Sequence, residues 1–239
     1  MVPQRSGKVS TVVEQLRLES LNGHATNGRS VHPASGAVNG TGASYQKQRG
    51  GYYTPDVIAA TLAEWAIANG EEQILEPSAG DGQFVAAASS LLNGHGHITA
   101  VEFDTDEAEK IAARNASRTT VITGDFFRWF SQNRARGQFD IVLGNPPFIR
   151  YQDFREEHRQ AAFALMRLDG LHPTRLTNAW LPFVVAATQA LRPGGRLALV
   201  LPAELLQVSY AAELRAYLVR KYARLTVVTF RRLIFEGIQ

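Results

Sequence analysis

The sequence contains no cysteine among its 239 residues. Neither a disulfide framework nor a thiolate metal site can therefore form, which fits an intracellular protein, and no metal site is expected. No run of about 18 apolar residues occurs, so no membrane-spanning helix is predicted. Arg5 and Lys8 are not followed by an apolar stretch, which excludes the pattern of a secretory leader; the cytoplasm is the expected location. Internal repeats are lacking as well. The chain has no G-x-G-x-x-G and no G-x-x-x-x-G-K-[ST], so neither the dinucleotide fingerprint nor the triphosphate loop is present. Charge of one sign is in small excess only: a net +3 with a pI near 9.3 is a weak tilt towards anionic partners.

What is present is an ordinary globular composition, 45% hydrophobic and 20% charged, and a length that suits one sizeable α/β domain. Residues 1–48 differ from the rest. They are rich in Gly, Asn, Ser and Ala and offer little apolar surface to offset ordering entropy, so a disordered or weakly structured tail is expected, with a short helix at Ser10–Leu18. The domain proper is assigned to residues 49–239. Thr54-Pro55 has the form of a helix N-cap followed by proline at the first helical position. Ile58, Leu62 and Trp65 then share one helical face, and Asn69-Gly70 closes the helix.

Six apolar segments follow as strands: Gln73–Leu75, His97–Glu102, Thr119–Thr123, Phe139–Leu143, Arg196–Leu201 after the turn at Arg192–Gly195, and Leu225–Phe230. Helices are predicted between them, the last one long and amphipathic at about Glu204–Tyr222. Strands alternating with helices of this length give a doubly wound, mostly parallel sheet, a Rossmann-like α/β fold. Ligands of such sheets bind beyond the carboxyl ends of the strands.

Three of those ends carry polar residues suited to a nucleoside. Glu76–Gly82 forms a strand-to-helix turn in which Gly80 and Gly82 flank Asp81; glycines permit a tight turn and close backbone approach, although a plain connection has the same appearance. Glu102 ends the second strand, where a carboxylate can accept both ribose hydroxyls or stand as an exposed acid. Phe103 can cover an adenine face or join the core. Asp125 can accept from an amino group, with the Phe126 backbone N–H donating to a ring nitrogen; the alternative for Asp125 is a helix N-cap.

The fourth strand end reads Gly144-Asn145-Pro146-Pro147-Phe148. Neither proline can donate to a strand ladder, and each proline holds the residue before it extended. The loop thus presents two acceptors in fixed geometry, the Asn145 side-chain oxygen and the Pro146 carbonyl, matching the two hydrogens of an exocyclic amino group. Such bonds favour a tetrahedral nitrogen with an available lone pair, which is catalysis by positioning and preorganised electrostatics. Phe148 offers a flat surface on which a planar substrate can stack. By chance the tetrapeptide arises on the order of once per thousand chains of this length, which makes it the most specific signal in the sequence.

Together with "GGYYTP", "EPSAGDGQF", "AVEFD" and "GDFF", this loop resembles the S-adenosylmethionine-dependent adenine-N6 DNA methyltransferases of restriction–modification systems, in their gamma motif order. The resemblance covers about Arg49–Gln239 and implies the class I methyltransferase fold. It implies that Thr54, Glu76, Ala79, Gly80 and Gly82 line the methionine end of S-adenosylmethionine. Glu102 would hold the ribose, and Phe103, Asp125 and Phe126 the adenine, with Phe183 also packing on the cofactor. Asn145, Pro146 and Pro147 with Phe148 would form the catalytic loop, and Phe235 in "FEGIQ" a second stacking face. The amino nitrogen of an adenine flipped out of duplex DNA would attack the sulfonium methyl in line, breaking its bond to sulfur and releasing the thioether, and would lose its proton afterwards. Cytosine N4 is a chemically similar acceptor.

Relatives of this type continue past "FEGIQ" into a seventh strand and a target-recognition domain, so a fold incomplete at its C-terminus is expected. Recognition would then come from a missing C-terminal domain or a specificity subunit, and the sixth strand would be left with an exposed edge. Arg150, Arg155, Arg159, Arg167 and Arg175 can contact phosphates, or pair with glutamates on a solvated helix over Asp153–Arg167. Two other readings are a protein-glutamine N5 methyltransferase and a cofactor-binding subunit inactive without a partner.

Overall fold

Ile74 and Leu75 are neighbours in sequence, yet each is packed in a different hydrophobic core. Successive side chains of a strand point to opposite faces, and both faces of this sheet are covered. The computed structural model describes residues 54–114 and 117–230, and residues 10–16 by their backbone. Five strands form the sheet: β2 (Gln73–Glu76), β3 (His97–Glu102), β4 (Thr119–Thr123), β5 (Phe139–Gly144) and β6 (Leu191–Leu199). Their order is β4-β3-β2-β5-β6, and every adjacent pair is parallel.

Helix α1 (Asp56–Ala66) and α2 (Gln83–Ser89) with α3 (Thr105–Arg114) cover one face. On the other face lie α4 (Phe126–Gln132), α5 (Glu156–Leu168) and α6 (Trp180–Ala190). Helix α6 is buried along almost its whole surface, as its mostly apolar composition requires. Pro182 falls in its first turn, where the missing N–H costs no helical hydrogen bond.

From β2 the chain builds outward to β3 and β4 on one side, and from β5 to β6 on the other. The switch point therefore lies between the carboxyl ends of β2 and β5. Ile74 is registered with Ile141 and Leu75 with Val142, so the loops that leave these two strands are side by side.

Several expectations are corrected. The segment at Ser10–Leu18 is not helical: Ser10–Leu16 is strand β1, paired in parallel with β7 (Arg224–Phe230) in a separate two-stranded sheet. Three consecutive β-branched residues, Thr11, Val12 and Val13, favour the extended form, and the sixth predicted strand has no partner in the main sheet. The edge expected to be exposed on that strand is thus covered along one side. Residues Arg192–Gly195 are not a turn before β6 but a bulge within it, since Phe139 pairs with Leu191 and Ile141 with Arg196. Gly195 is required there, because a Cβ would lie 2.9 Å from the Asp140 carbonyl oxygen.

The long helix predicted over Glu204–Tyr222 is broken into α7 (Glu204–Gln207), a 3₁₀ turn (Ser209–Ala211) and α8 (Ala212–Lys221). Val208 is extended at the break, and the Arg215 guanidinium donates to the Leu205 and Val208 carbonyls that the break frees. Helix α1 ends at Ala66 rather than at Asn69-Gly70. Its buried face is Ile58, Ala59, Ala63 and Ala66, whereas Trp65 is 54% exposed. The helix expected over Asp153–Arg167 is solvated on one side only, because Ala162, Phe163, Leu165 and Met166 are buried.

Leu143 is fully buried at the end of β5, next to the loop Asn145–Phe148. We expect Leu143→Ala to destabilise the fold by about 2–5 kcal/mol in urea unfolding.

Candidate active site

The bond that joins the two switch-point loops starts from Ser78. Its hydroxyl donates to the Asn145 backbone carbonyl at 3.3 Å. Asn145 Nδ2 donates in turn to the Thr54 hydroxyl at 3.1 Å. Thr54 is buried and lies before α1, whose cap is Pro55 and carries no side-chain capping bond. The expected N-cap role of Thr54 is therefore corrected: its hydroxyl is spent on Asn145. That bond turns the amide so that Nδ2 faces Thr54, which fixes the direction of Oδ1. Pro146 is buried and Asn145, Pro147 and Phe148 are half-buried, so the loop keeps one side open.

Across the switch point, the loop after β2 is shaped by its backbone. Ala79 N–H donates to the Val101 carbonyl at 3.0 Å and Gly82 N–H to the Ala79 carbonyl at 2.8 Å. Gly80 has φ +57° and nothing lies within 4 Å of where its Cβ would stand, so its surface is open. Gly82 differs: at φ +84° its Cβ would meet Ile111 at 2.9 Å. This glycine serves helix packing as well as the turn, not only approach to a ligand.

Glu102 crosses from β3 to close the loop. Its Oε2 accepts from Gly80 N–H at 2.7 Å and its Oε1 from Asp104 N–H at 2.8 Å. Burial nonetheless outweighs these bonds and raises its pKa. Glu76 is 1% exposed, and its Oε2 has no hydrogen-bond partner among the described residues. Burial first, then the nearness of Glu102 and Asp81, pushes the Glu76 carboxyl well above the usual range. Asp81 is raised too, chiefly by burial. Three carboxyls thus crowd the mouth between β2 and β3, and Glu102 and Asp81 disfavour the charge of Glu76.

At the other end, Phe103 is 51% exposed rather than part of the core. Asp125 is the N-cap of α4: its Oδ1 accepts from Arg128 N–H at 2.8 Å. The Phe126 side chain is buried, with its ring stacked on Phe183 at 5.2 Å. Phe183 also meets Phe127 edge-on at 4.6 Å, so both rings are core. Only the Phe126 backbone is left to face a ligand. Phe235 lies outside the described residues. Of the five arginines, Arg159 forms an ion pair with Glu156 and lies 4.2 Å over the Tyr151 ring. With Arg167 and Arg175 it lines a cavity of about 530 Å³. The described residues contain no group of three or more His, Cys, Asp or Glu able to hold a metal.

Residues 83–235 match the Eco57I restriction-modification methylase family. The chain belongs to this family. Among curated relatives of this Eco57I-family chain, Type II methyltransferase M.AccI of Acinetobacter calcoaceticus is 23% identical over 198 residues, covering 80% of the chain and 35% of that protein. Type II methyltransferase M.XamI of Xanthomonas campestris pv. amaranthicola is 27% identical over 175 residues, covering 71% and 33%. The chain thus spans about a third of the length of the curated relatives it matches. The type I restriction-modification methyltransferase subunit from Streptococcus thermophilus has the same fold, with a TM-score of 0.55 at 17% identity over 70% of this chain and 38% of that one. Together with the five-stranded parallel sheet, this likeness establishes the class I Rossmann-like methyltransferase fold.

Sequence reasoning missed Ser78 and Asn178. The Asn178 side-chain oxygen accepts from Tyr151 N–H at 3.1 Å, and its Nδ2 donates to Tyr210, holding the segment after the proline pair. Ser78 lies inside a quoted motif, but a target 67 residues away leaves no local signal.

Glu76 yields a stability test. With a folded-state pKa raised above the ordinary value, the folded protein binds this proton more tightly than the unfolded chain. Its effect on stability is therefore most favourable at low pH, and stability falls as pH rises from the ordinary carboxylate value towards the folded one. We expect Glu76→Gln to raise the melting temperature of the ligand-free protein by a few degrees at neutral pH and to flatten that slope, measured by differential scanning calorimetry.

Proposed function

We propose that this Eco57I-family chain is the catalytic domain of an S-adenosylmethionine-dependent DNA methyltransferase that acts on the exocyclic N6 of adenine. The carrying observation is the switch-point pair: Asn145 is held between Thr54 and Ser78, next to the open backbone of Gly80.

The residues present fit S-adenosylmethionine. Gly80 leaves space that a side chain would fill, and the unpartnered Glu76 oxygen is buried beside two further carboxyls. A site with raised acid pKa values and an unused acceptor suits a ligand with positive charge and N–H donors. In this reading Thr54, Glu76, Ala79, Gly80 and Gly82 line the methionine end, Glu102 the ribose, and Phe103, Asp125 and the Phe126 backbone the adenine. When bound, S-adenosylmethionine supplies an electrophilic methyl group.

The chain's own contribution is positional. Asn145 Oδ1 and the Pro146 carbonyl accept the two amino hydrogens of the target base, and Phe148 stacks on its ring. Because Thr54 fixes the amide, little reorganisation remains at the moment of reaction. An adenine within a duplex cannot reach this loop without leaving the stack, so base flipping belongs to the proposal. Phosphate contacts from Arg150, Arg155, Arg167 and Arg175 also do, since none of these forms an ion pair among the described residues. Recognition of a particular sequence falls to a further domain or specificity subunit.

With tritiated methyl donor and duplex DNA, we expect label on the DNA and at least a ~100-fold loss in Asn145→Ala, the scale of a lost preorganised polar contact. Label on a protein glutamine and none on DNA would contradict the proposal.

A further inference from the structure

The residues assigned to the adenine end come from separate strand ends, and one imidazole links two of their side chains. His158 Nδ1 lies 3.0 Å from Asp125 Oδ2, and its ring meets Phe103 edge-on, with centroids 5.5 Å apart at 86°. An ionised aspartate is an acceptor only, so Nδ1 carries the proton and donates it to Oδ2. The other oxygen, Oδ1, already accepts from Arg128 N–H. Both oxygens of Asp125 are therefore oriented, one by its own helix and one by a residue 33 positions later in the chain.

His158 stands in the first turn of α5, a helix anchored in the core by Phe163, Leu165 and Met166. Its side chain is 19% exposed. The charged groups facing the imidazole are Asp125 from the start of α4 and Glu157 from its own turn, whose Oε1 lies 3.4 Å from Nε2. The neighbouring Arg159 turns the other way, to Glu156 and Tyr151. A ring on a packed helix, bonded to the carboxylate and perpendicular to the aromatic ring, ties the two side chains to one rigid element. Half of the Phe103 surface stays exposed beside this contact.

We propose that His158 is a positioning residue of the cofactor site, setting the Asp125 carboxylate and the Phe103 ring to receive the adenine of a nucleoside cofactor. This rests on the S-adenosylmethionine reading above. Because His158 acts on the base end alone, its loss falls on cofactor binding and not on the methyl-transfer step.

The test is a comparison of wild type, His158→Ala and His158→Asn in the full chain, by calorimetry and steady-state kinetics. We expect His158→Ala to raise Kd and KM for S-adenosylmethionine about tenfold, the scale of one charge-assisted hydrogen bond, with kcat and the KM for DNA unchanged. Asn places an N–H donor where Nδ1 stands, so His158→Asn recovers most of the affinity. In nitrogen NMR, the His158 ring signal of the wild type shifts on addition of adenosine and not of methionine. Equal cofactor affinity in wild type and His158→Ala, with a ring signal unmoved by adenosine, overturns the inference while the cofactor reading stands. A wild type that binds no S-adenosylmethionine overturns both.

Discussion

Parallel pairing of β2 with β5 is the constraint on which the site depends. The register that sets Ile74 against Ile141 and Leu75 against Val142 brings two loops 67 residues apart into hydrogen-bonding distance. Each strand is short, and neither loop has regular structure to hold it. The position of Asn145 is inherited from the sheet, then refined by Ser78 on its carbonyl and Thr54 on its amide. A slip of one residue in this pairing would turn every side chain to the other face. The division of Ile74, Ile141 and Leu143 to one core and Leu75 and Val142 to the other makes such a slip costly.

The same architecture concentrates acid where it is least comfortable. Glu76, Asp81 and Glu102 end up at the mouth of the sheet because they end or follow strands whose interiors must be apolar. Burial raises all three, and Glu76 keeps an oxygen without a partner. A purely structural site would use an amide or an apolar residue there. Strain of this kind is what a binding site holds in reserve for a ligand that supplies the missing charge and donors.

The strand ends were legible because each carries a local signal: apolar runs of strand length, glycines that tolerate positive φ, and prolines that forbid pairing. Hence the places of Gly80, Glu102 and Asn145 at strand ends were legible in the sequence, and the fold class with them. What was not legible depends on contacts across the chain. Thr54 has the local form of a helix cap, yet its hydroxyl is taken by Asn145. His158 sits in an amphipathic helix with no motif of its own, and only the packing of α5 brings it to Asp125. The resemblance gives Phe126 to the adenine, and the stack of its ring on Phe183 shows that the side chain belongs to the core and only the backbone N–H can serve. Trp65 follows helical spacing with Ile58 and Leu62 but remains exposed, since small residues, Ala59, Ala63 and Ala66, form the close-packed face. The β-strand at Ser10–Leu16 depends on a partner more than 200 residues away.

The central claim is that the loop Asn145–Phe148 presents two acceptors to the amino group of adenine in DNA. The most direct measurement is nucleoside mass spectrometry of duplex DNA incubated with the protein and S-adenosylmethionine. N6-methyladenine as the methylated product is the predicted result. N4-methylcytosine, or DNA left unmodified by protein that has bound the cofactor, would contradict it.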